Sequence, residues 1–199
     1  MQRPHAPSKE DIAGLEPLQR LELGNIVLVS TSQQAKQAFE VLNASGVVGF
    51  DTESKPTFAK DEVSTGPHVV QFSTPSKAYV FQLHDDTCRA VVCQLLIAPG
   101  LAKVGFGLAG DHTQIQRTLG VQAHNVLDLN TVFREKGYIK ELGVRGAVAV
   151  MFQRRFLKSR KAATSNWSNR QLSESQIVYA ANDAWAAIQI YIALELTLP

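Results

Sequence analysis

Apolar residues along this chain fall into two spacings, one typical of β-strands and one typical of α-helices. Short apolar runs bounded by turn residues predict strands over 26–29, 47–53, 69–74, 78–83, 103–106 and 126–129. Apolar residues three or four positions apart predict helices over 31–43, 85–97, 111–119 and 176–195. Three strands in succession, followed by alternating elements, indicate an α/β fold with a mixed sheet.

Residues 1–22 are polar and contain prolines, and we interpret them as an N-terminal arm on the surface. Ser8 and Asp11 would form the capping box of a short helix within this arm. Residues 23–199 show no internal repeat and no change in composition. They therefore predict one domain with its own hydrophobic core.

Composition narrows the class of protein. The chain has 199 residues, 45% of them hydrophobic and 19% charged, as in ordinary globular domains, and its net charge of +2 identifies no partner by itself. No run approaches the ~20 apolar residues of a membrane-spanning helix, so we expect no membrane association. Cys88 and Cys93 have a spacing that does not suit a local disulfide. We expect free thiols, which favour a cytoplasmic location.

Four carboxylates and one tyrosine lie in apolar segments, where an ionised group is costly unless a cation or a proton compensates it. Asp51 and Glu53 are two positions apart in a predicted strand, so their side chains share one face. Asp111 follows a predicted turn, and Tyr179 and Asp183 share one face of an alanine-rich helix. Each segment alone could be a solvated surface. Together they predict a cage for divalent metals of the kind that serves phosphoryl chemistry.

These segments resemble the three exonuclease motifs of the DEDD superfamily of 3′→5′ exonucleases. The counterparts here are Asp51-Thr-Glu53, Asp111 and Tyr179-x-x-x-Asp183. The tyrosine is typical of the branch that includes ribonuclease D and the Werner-type nucleases, since the histidine branch has His where this chain has Val178. The stretch 165–183 is most similar to the Werner-type nucleases. The resemblance extends from about residue 26 to the C-terminus.

The resemblance implies a ribonuclease H-like fold, with a mixed β-sheet flanked by α-helices, and a mechanism with two Mg²⁺ or Mn²⁺ ions. Asp51, Glu53 and Asp183 would hold one ion. Asp51 would bridge to a second ion, which Asp111 would support. Tyr179 would orient the attacking water, because a phenol with an ordinary pKa of about 10 is a poor base. The products would be nucleoside 5′-monophosphates.

The substrate implied by the resemblance is nucleic acid. DNA is favoured over RNA, because the stretch 165–183 is most similar to the Werner-type nucleases. An RNA-trimming enzyme like ribonuclease D is the alternative, since the cleavage chemistry does not use the 2′-hydroxyl. A further alternative is a module that binds nucleic acid without catalysis. The presence of suitable residues at all five catalytic positions argues against it. Protein partners are not predicted.

Seven residues near the motifs are candidate contacts to nucleic acid: Lys55, Leu108, Arg154, Arg155, Lys158, Arg160 and Lys161. The basic residues would follow the phosphate backbone, and Lys60 could contribute in the same way. Leu108 and Phe58 would wedge against the terminal base. A solvated basic surface, and core packing of the two apolar residues, are the alternatives.

Residues 105–110 fit the G-x-G-x-x-G pattern of a dinucleotide site, and Asp128 follows near the position of a ribose-binding acid. The pattern is weak on its own. Asp111 at the start of the next helix would repel a pyrophosphate, and the pattern comes in the middle of the chain. We therefore interpret Asp128 as a structural acid at a strand end. Trp167 is interpreted as a packing anchor in its loop.

Overall fold

The strands form one mixed sheet. The structure, a computed structural model, describes residues 4–57, 59 and 62–196. Within these residues the strands are β1 (Ile26–Val29), β2 (Val47–Glu53), β3 (Val69–Ser73), β4 (Ala78–Gln82), β5 (Ala102–Gly105) and β6 (Val126–Asp128). Their order is β1-β4-β3-β2-β5-β6. Strand β3 is antiparallel to both of its neighbours, and the remaining pairs are parallel, so the predicted mixed sheet is confirmed.

Helices cover both faces of the sheet. They are α1 (Lys9–Ala13), α2 (Ser32–Ala44), α3 (Asp86–Ile97), α4 (Ala109–Leu119), α5 (Leu129–Glu135), α6 (Gly143–Phe152), α7 (Arg160–Ala163) and α8 (Glu174–Ala193). Residues of α2, α3 and α4 share one core with Phe50, Phe72 and Phe81. Helices α5, α6 and α8 build a core on the opposite face. The sheet is therefore buried between two layers, which explains why its strands read as nearly continuous apolar runs.

Helix α8 lies directly on strand β2. A capping box between Ser173 and Gln176 fixes the start of the helix. Its buried alanines include Ala180, Ala181, Ala184 and Ala187. Gly49 of β2 faces Ala184 so closely that an added Cβ would lie 1.8 Å from the Ala184 carbonyl oxygen. Small residues on both elements thus bring the helix backbone onto the strand, and this sets the distance between their functional side chains.

The N-terminal arm is attached to the domain at several places. Pro17 pairs with Arg155 in an isolated bridge. The buried Leu21 donates its N–H to Asn182 Oδ1 at 2.8 Å, and Asn182 Nδ2 donates to the Leu21 carbonyl at 3.3 Å. The predicted capping box between Ser8 and Asp11 is present. The division of the chain after residue 22 stays a prediction.

Two further predictions concern the chain as a whole. Among the described residues, no helix combines the length and the apolar character needed to cross a membrane. Cys88 and Cys93 are free thiols, as predicted. Burial raises the pKa of the Cys88 thiol to about 12, so this side chain behaves as a small apolar residue of the core.

Candidate active site

Strand β2 and helix α8 bring three carboxylates together. Asp51 and Glu53 lie at the C-terminal end of β2, and Asp183 lies in the middle of α8. One oxygen atom of each side chain lies within 4.8 Å of those of the other two. The alternation of a strand and the close approach of α8 explain this meeting. We call these three residues the carboxylate cluster.

Burial and mutual repulsion oppose ionisation of the carboxylate cluster. Burial, and next the charge of Asp183, raise the pKa of Asp51 well above its usual value. Burial and the neighbouring Asp51 raise the pKa of Glu53 to about 10. Burial also raises the pKa of Asp183, against the opposing effect of Lys158. A cation bound among these oxygens would relieve the repulsion and favour the ionised forms.

The carboxylate cluster fits a divalent metal ion. Its three side chains offer the hard oxygen ligands that Mg²⁺ and Mn²⁺ prefer. Both carboxylate oxygens of Asp183 are buried; Oδ2 is paired with the ammonium of Lys158, and Oδ1 has no hydrogen-bond partner among the residues that the structure describes. Buried polar atoms in proteins normally have such partners. Asp51, Glu53 and Asp183 are therefore candidate metal ligands.

Asp111 lies beside the carboxylate cluster rather than in it. It belongs to the first turn of α4, and its Oδ1 accepts a hydrogen bond from the hydroxyl of Thr52. Thr52 is the residue between Asp51 and Glu53, so one strand positions all three acids. Burial raises the pKa of Asp111. This placement agrees with the predicted supporting role of Asp111, which stays a prediction.

Tyr179 lies one turn before Asp183 on α8. Its ring centroid is 5.9 Å from that of Trp167 and 5.0 Å from Lys158 Nζ. Trp167 is fully buried, so its predicted role as a packing anchor is confirmed. Burial, and next the charge of Asp183, raise the pKa of Tyr179 above its usual value. The phenol therefore keeps its proton at neutral pH and can donate a hydrogen bond.

Lys158 lies inside the site. Its Nζ is 2.6 Å from Asp183 Oδ2, and its side chain is 26% exposed. The sequence predicts a contact to nucleic acid, but here the ammonium binds a carboxylate of the cluster. Burial disfavours its charge, yet Asp183 and Asp51 together raise the pKa of Lys158 above its usual value. Lys158 is therefore positively charged at neutral pH.

The other basic candidates occupy several surfaces. Arg154 and Arg155 donate to main-chain carbonyls, and Arg155 binds that of Ala13 at 3.0 Å, which ties it to the N-terminal arm. Arg160 and Lys161 are exposed at the start of α7. Within residues 154–161, Arg155 therefore contacts the N-terminal arm, whereas Lys158 lies in the site. The contacts of these basic residues to nucleic acid stay predictions.

The candidate nucleic-acid contacts near Asp51 and Asp111 are buried to different extents. Leu108 is 1% exposed and belongs to the core shared with α2 and α3, so in this conformation it does not face a substrate base. Its methyl groups fill the space left by Gly105, whose added Cβ would meet them at 2.9 and 3.1 Å. Lys55 is half-buried just after β2. Phe58 and Lys60 lie outside the described residues.

Two cavities reach the carboxylate cluster, and a third adjoins Lys158 and Tyr179. Their volumes are about 390, 370 and 430 Å³. Asp183 lines the first two, Lys158 the second and third, and Tyr179 the first and third. Cavities of this size suit a small ligand or a nucleotide.

Three polar residues of this region do not emerge from sequence reasoning. Thr52 holds Asp111, and Asn182 holds the arm beside Asp183. Gln71 is the cross-strand partner of Asp51 and is 0% exposed, and its amide atoms have no hydrogen-bond partner within the described part of the chain. A polar residue inside an apolar strand is the one signal that could have identified Gln71. The other two follow only from tertiary packing.

The glycine pattern at 105–110 forms a structural turn. Asp128 Oδ2 accepts the Leu108 N–H at 3.0 Å, and its Oδ1 caps α5 through the Asn130 N–H at 2.9 Å. The Leu108 N–H, which a pyrophosphate bound in this loop would need, therefore already has Asp128 as its acceptor. Its interpretation as a structural acid is confirmed.

The fold and the carboxylate cluster together define the class of this protein as a ribonuclease H-like nuclease domain. A sequence profile described as 3′-5′ exonuclease matches residues 26–199. The chain belongs to this 3′-5′ exonuclease family. The predicted resemblance and the predicted fold are thereby confirmed.

Curated relatives support the same assignment. The mouse bifunctional 3′-5′ exonuclease/ATP-dependent helicase WRN is 30% identical over 152 residues, which are 75% of this chain and 11% of that protein. A 3′-5′ exonuclease of Arabidopsis thaliana is 29% identical over 171 residues, 82% of this chain and 59% of that protein. The chain thus spans only part of the length of these relatives.

Solved structures share the fold. Trypanosoma brucei RNase D has a TM-score of 0.74 and 20% identity, with 85% of this chain and 64% of that chain covered. The EXO domain of Aedes aegypti Nibbler has a TM-score of 0.73 and 20% identity, with 89% and 90% covered. These similarities concern the arrangement of the sheet and helices.

Proposed function

We propose that this chain is a metal-dependent 3′→5′ exonuclease that releases nucleoside 5′-monophosphates from nucleic acid. The observation that carries the proposal is the carboxylate cluster, with its oxygens within 4.8 Å, in a chain of the 3′-5′ exonuclease family. Asp51, Glu53 and Asp183 hold the first Mg²⁺ or Mn²⁺ ion, and Asp51 and Asp111 take part in holding a second. When bound, such ions activate water and stabilise the leaving oxygen.

The reaction is the hydrolysis of the terminal phosphodiester. Water adds to the phosphorus, the bond from phosphorus to the 3′ oxygen of the preceding nucleotide breaks, and that oxygen takes up a proton. Tyr179 keeps its own proton at neutral pH and orients the attacking water through its hydroxyl group. Strand β2 fixes Asp51 and Glu53 before the substrate binds, which lowers the entropic cost of reaching the reactive geometry.

The proposed substrate is DNA rather than RNA. The resemblance of 165–183 to the Werner-type nucleases supports this preference. RNA trimming is the second candidate, because a structure of Trypanosoma brucei RNase D bound to RNA U12 has the same fold, with a TM-score of 0.74 and 18% identity. In both cases the exposed Arg160 and Lys161 contact the phosphate backbone. A cytoplasmic location is part of the proposal.

The test compares the protein with its Asp51→Asn, Asp183→Asn double variant on 5′-labelled single-stranded DNA, recessed duplex DNA and RNA. Each reaction is run with Mg²⁺, Mn²⁺ or EDTA. We expect a ladder that shortens from the 3′ end, is absent in EDTA, and is slowed at least about a thousandfold in the variant.

The matched control replaces two exposed acids away from the site, Glu40→Gln and Asp86→Asn, and should leave the rate unchanged. Cleavage by the site variant at the rate of the control would show that the carboxylate cluster is not the catalytic centre. The ratio of initial rates on DNA and RNA decides between the two substrates.

A further inference from the structure

Lys158 has a position that the proposed reaction does not explain. Its Nζ lies 2.6 Å from Asp183 Oδ2, and its side chain is 26% exposed, against 3% for that of Asp183. The ammonium also lies over the ring of Tyr179, 5.0 Å from the centroid. A contact to the nucleic-acid backbone would require the ammonium to leave this carboxylate and turn into one of the two cavities that Lys158 lines.

The ammonium lies against one of the two oxygens that Asp183 could offer to a metal ion. A divalent ion of this size binds a carboxylate oxygen at roughly 2.1 Å. With Lys158 already 2.6 Å from Oδ2, the two cations would stand less than about 5 Å apart. Their repulsion would be only weakly screened, because the site is largely buried. The ammonium and the metal ion therefore compete for the negative charge of Asp183, and their repulsion opposes simultaneous binding at this oxygen.

The side chain of Lys158 can leave without a change in the main chain. Arg145 donates to the Lys158 carbonyl at 2.9 Å, and Ser159 caps α7 through the Ala162 N–H at 3.2 Å. The flexible stem of the lysine lies beside a cavity of about 430 Å³, which Arg145 and Arg160 also line. Rotation of the stem would move the ammonium from the carboxylate cluster into this cavity.

We propose that Lys158 is a built-in counter-cation, which neutralises the carboxylate cluster of the metal-free protein and is displaced from Asp183 when a divalent metal ion binds. The inference rests on the proposed function, because it takes the carboxylate cluster to be the metal site. The displaced ammonium joins Arg145 and Arg160 in the cavity, where all three charges face the phosphates of the substrate. Metal loading thus prepares the surface for nucleic acid.

Removal of the ammonium then has two opposite effects. Without metal, a neutral residue at 158 leaves the buried carboxylates without their cation, which destabilises the fold. With metal, the same change removes a competitor and tightens binding of the ion. A lysine that only contacts substrate would produce neither effect, since both are measured without nucleic acid.

The experiment compares the wild-type protein with Lys158→Met and with Lys161→Met, an exposed lysine as the matched control. Thermal unfolding is recorded at neutral pH in EDTA and in saturating MnCl₂, and MnCl₂ is titrated calorimetrically. For Lys158→Met we expect Tm in EDTA to fall by on the order of 10 °C. We expect no such fall in MnCl₂, and an at least roughly tenfold lower Kd for Mn²⁺.

The outcomes separate this inference from the proposed function. Failure of the wild-type protein to bind Mn²⁺ would overturn both. Binding by the wild-type protein, with the same Kd and the same Tm in EDTA for Lys158→Met, would overturn only the role of Lys158. A Lys158→Met protein that folds in MnCl₂ but not in EDTA would support it. One that folds in neither would contradict it, because the metal ion should replace the lysine.

Discussion

Polar partners hold three of the four acidic side chains of the site. Asp183 has the ammonium of Lys158, Asp111 has the hydroxyl of Thr52, and Asp51 Oδ1 accepts the N–H of Thr52 at 2.9 Å. Thr52 therefore serves two acids at once, through its main chain and its side chain. Residues that hold metal ligands in this way often matter nearly as much as the ligands.

Thr52→Val tests this contact at the scale of one residue. Valine keeps the shape of threonine and suits a strand, but it cannot donate to Asp111. We expect the Mn²⁺-dependent kcat/KM to fall about 10–100-fold, with the fold intact by circular dichroism. Thr52→Ser keeps the hydroxyl and should retain most of the activity. Equal activity of the valine and serine variants would mean that the hydroxyl does not position Asp111.

At the scale of elements, the site depends on the contact between β2 and α8. The strand carries Asp51 and Glu53, and the helix carries Tyr179 and Asp183. Gly49 permits the contact, because any side chain there would run into the helix backbone. The distance between the two elements is therefore set by a residue that has no functional group.

Gly49→Ala should separate the two elements. The new Cβ would lie 1.8 Å from the Ala184 carbonyl oxygen, and a helix backbone cannot yield as a side chain does. We expect the free energy of unfolding, measured in urea, to fall by at least about 2 kcal/mol, with a loss of exonuclease activity.

Gly24→Ala is the control for this substitution. An added Cβ at Gly24 meets no atom within 4 Å, and it should change the free energy of unfolding by less than about 0.5 kcal/mol. Equal stabilities of the two alanine variants would show that α8 does not press on β2 as described.

At the scale of the whole molecule, the carboxylate cluster links stability to pH. Burial and Asp51 raise the pKa of Glu53 to about 10, far above the value of about 4.3 in an unfolded chain. The metal-free folded state therefore holds a proton that the unfolded state has released. The contribution of Glu53 to the free energy of unfolding is therefore largest below about pH 4, and it falls as the pH rises towards 10.

A bound metal ion should remove this dependence, because it keeps the carboxylates ionised in the folded state as they are in the unfolded state. We expect the difference between Tm in MnCl₂ and Tm in EDTA to grow as the pH rises from about 5 to about 8. Thermal unfolding over a pH series measures it. A constant difference across the series would contradict the linkage, and the double variant Asp51→Asn, Asp183→Asn should show almost none.

The six strands and helices α2, α3, α4 and α8 could be predicted because their apolar pattern is strong, whereas the pattern assigned no separate helices to the region of α5, α6 and α7. The boundaries of β1 and β2 match their predicted ranges, β3, β4 and β6 end one residue earlier than predicted, and β5 is shifted by one residue. Helix α8 begins two residues earlier than predicted, because Ser173 and Gln176 form a capping box that the apolar spacing alone does not reveal. Strand order could not be read from the pattern, since it is decided by pairings between distant segments.

Asp51 and Glu53 could be placed on one face because they are two positions apart in a strand, and the resemblance to the three exonuclease motifs added Asp183 to them. The contacts of Lys158 and Arg155 could not be predicted from the sequence. Both lie in a basic run that reads as one surface, yet one side chain enters the site and the other binds the arm. Loop conformation separates them, and loop conformation has no periodic signal in the sequence.

The attachment of the N-terminal arm has a practical consequence for expression. The family match begins at residue 26, and a clone trimmed to that point would lose Leu21. The buried amide of Asn182 would then lack the partners that it has at 2.8 and 3.3 Å, one residue away from Asp183. Primers placed upstream of Ala13 keep the contacts of Ala13, Pro17 and Leu21 with the domain, so a shortened clone should start there when the yield of active protein matters.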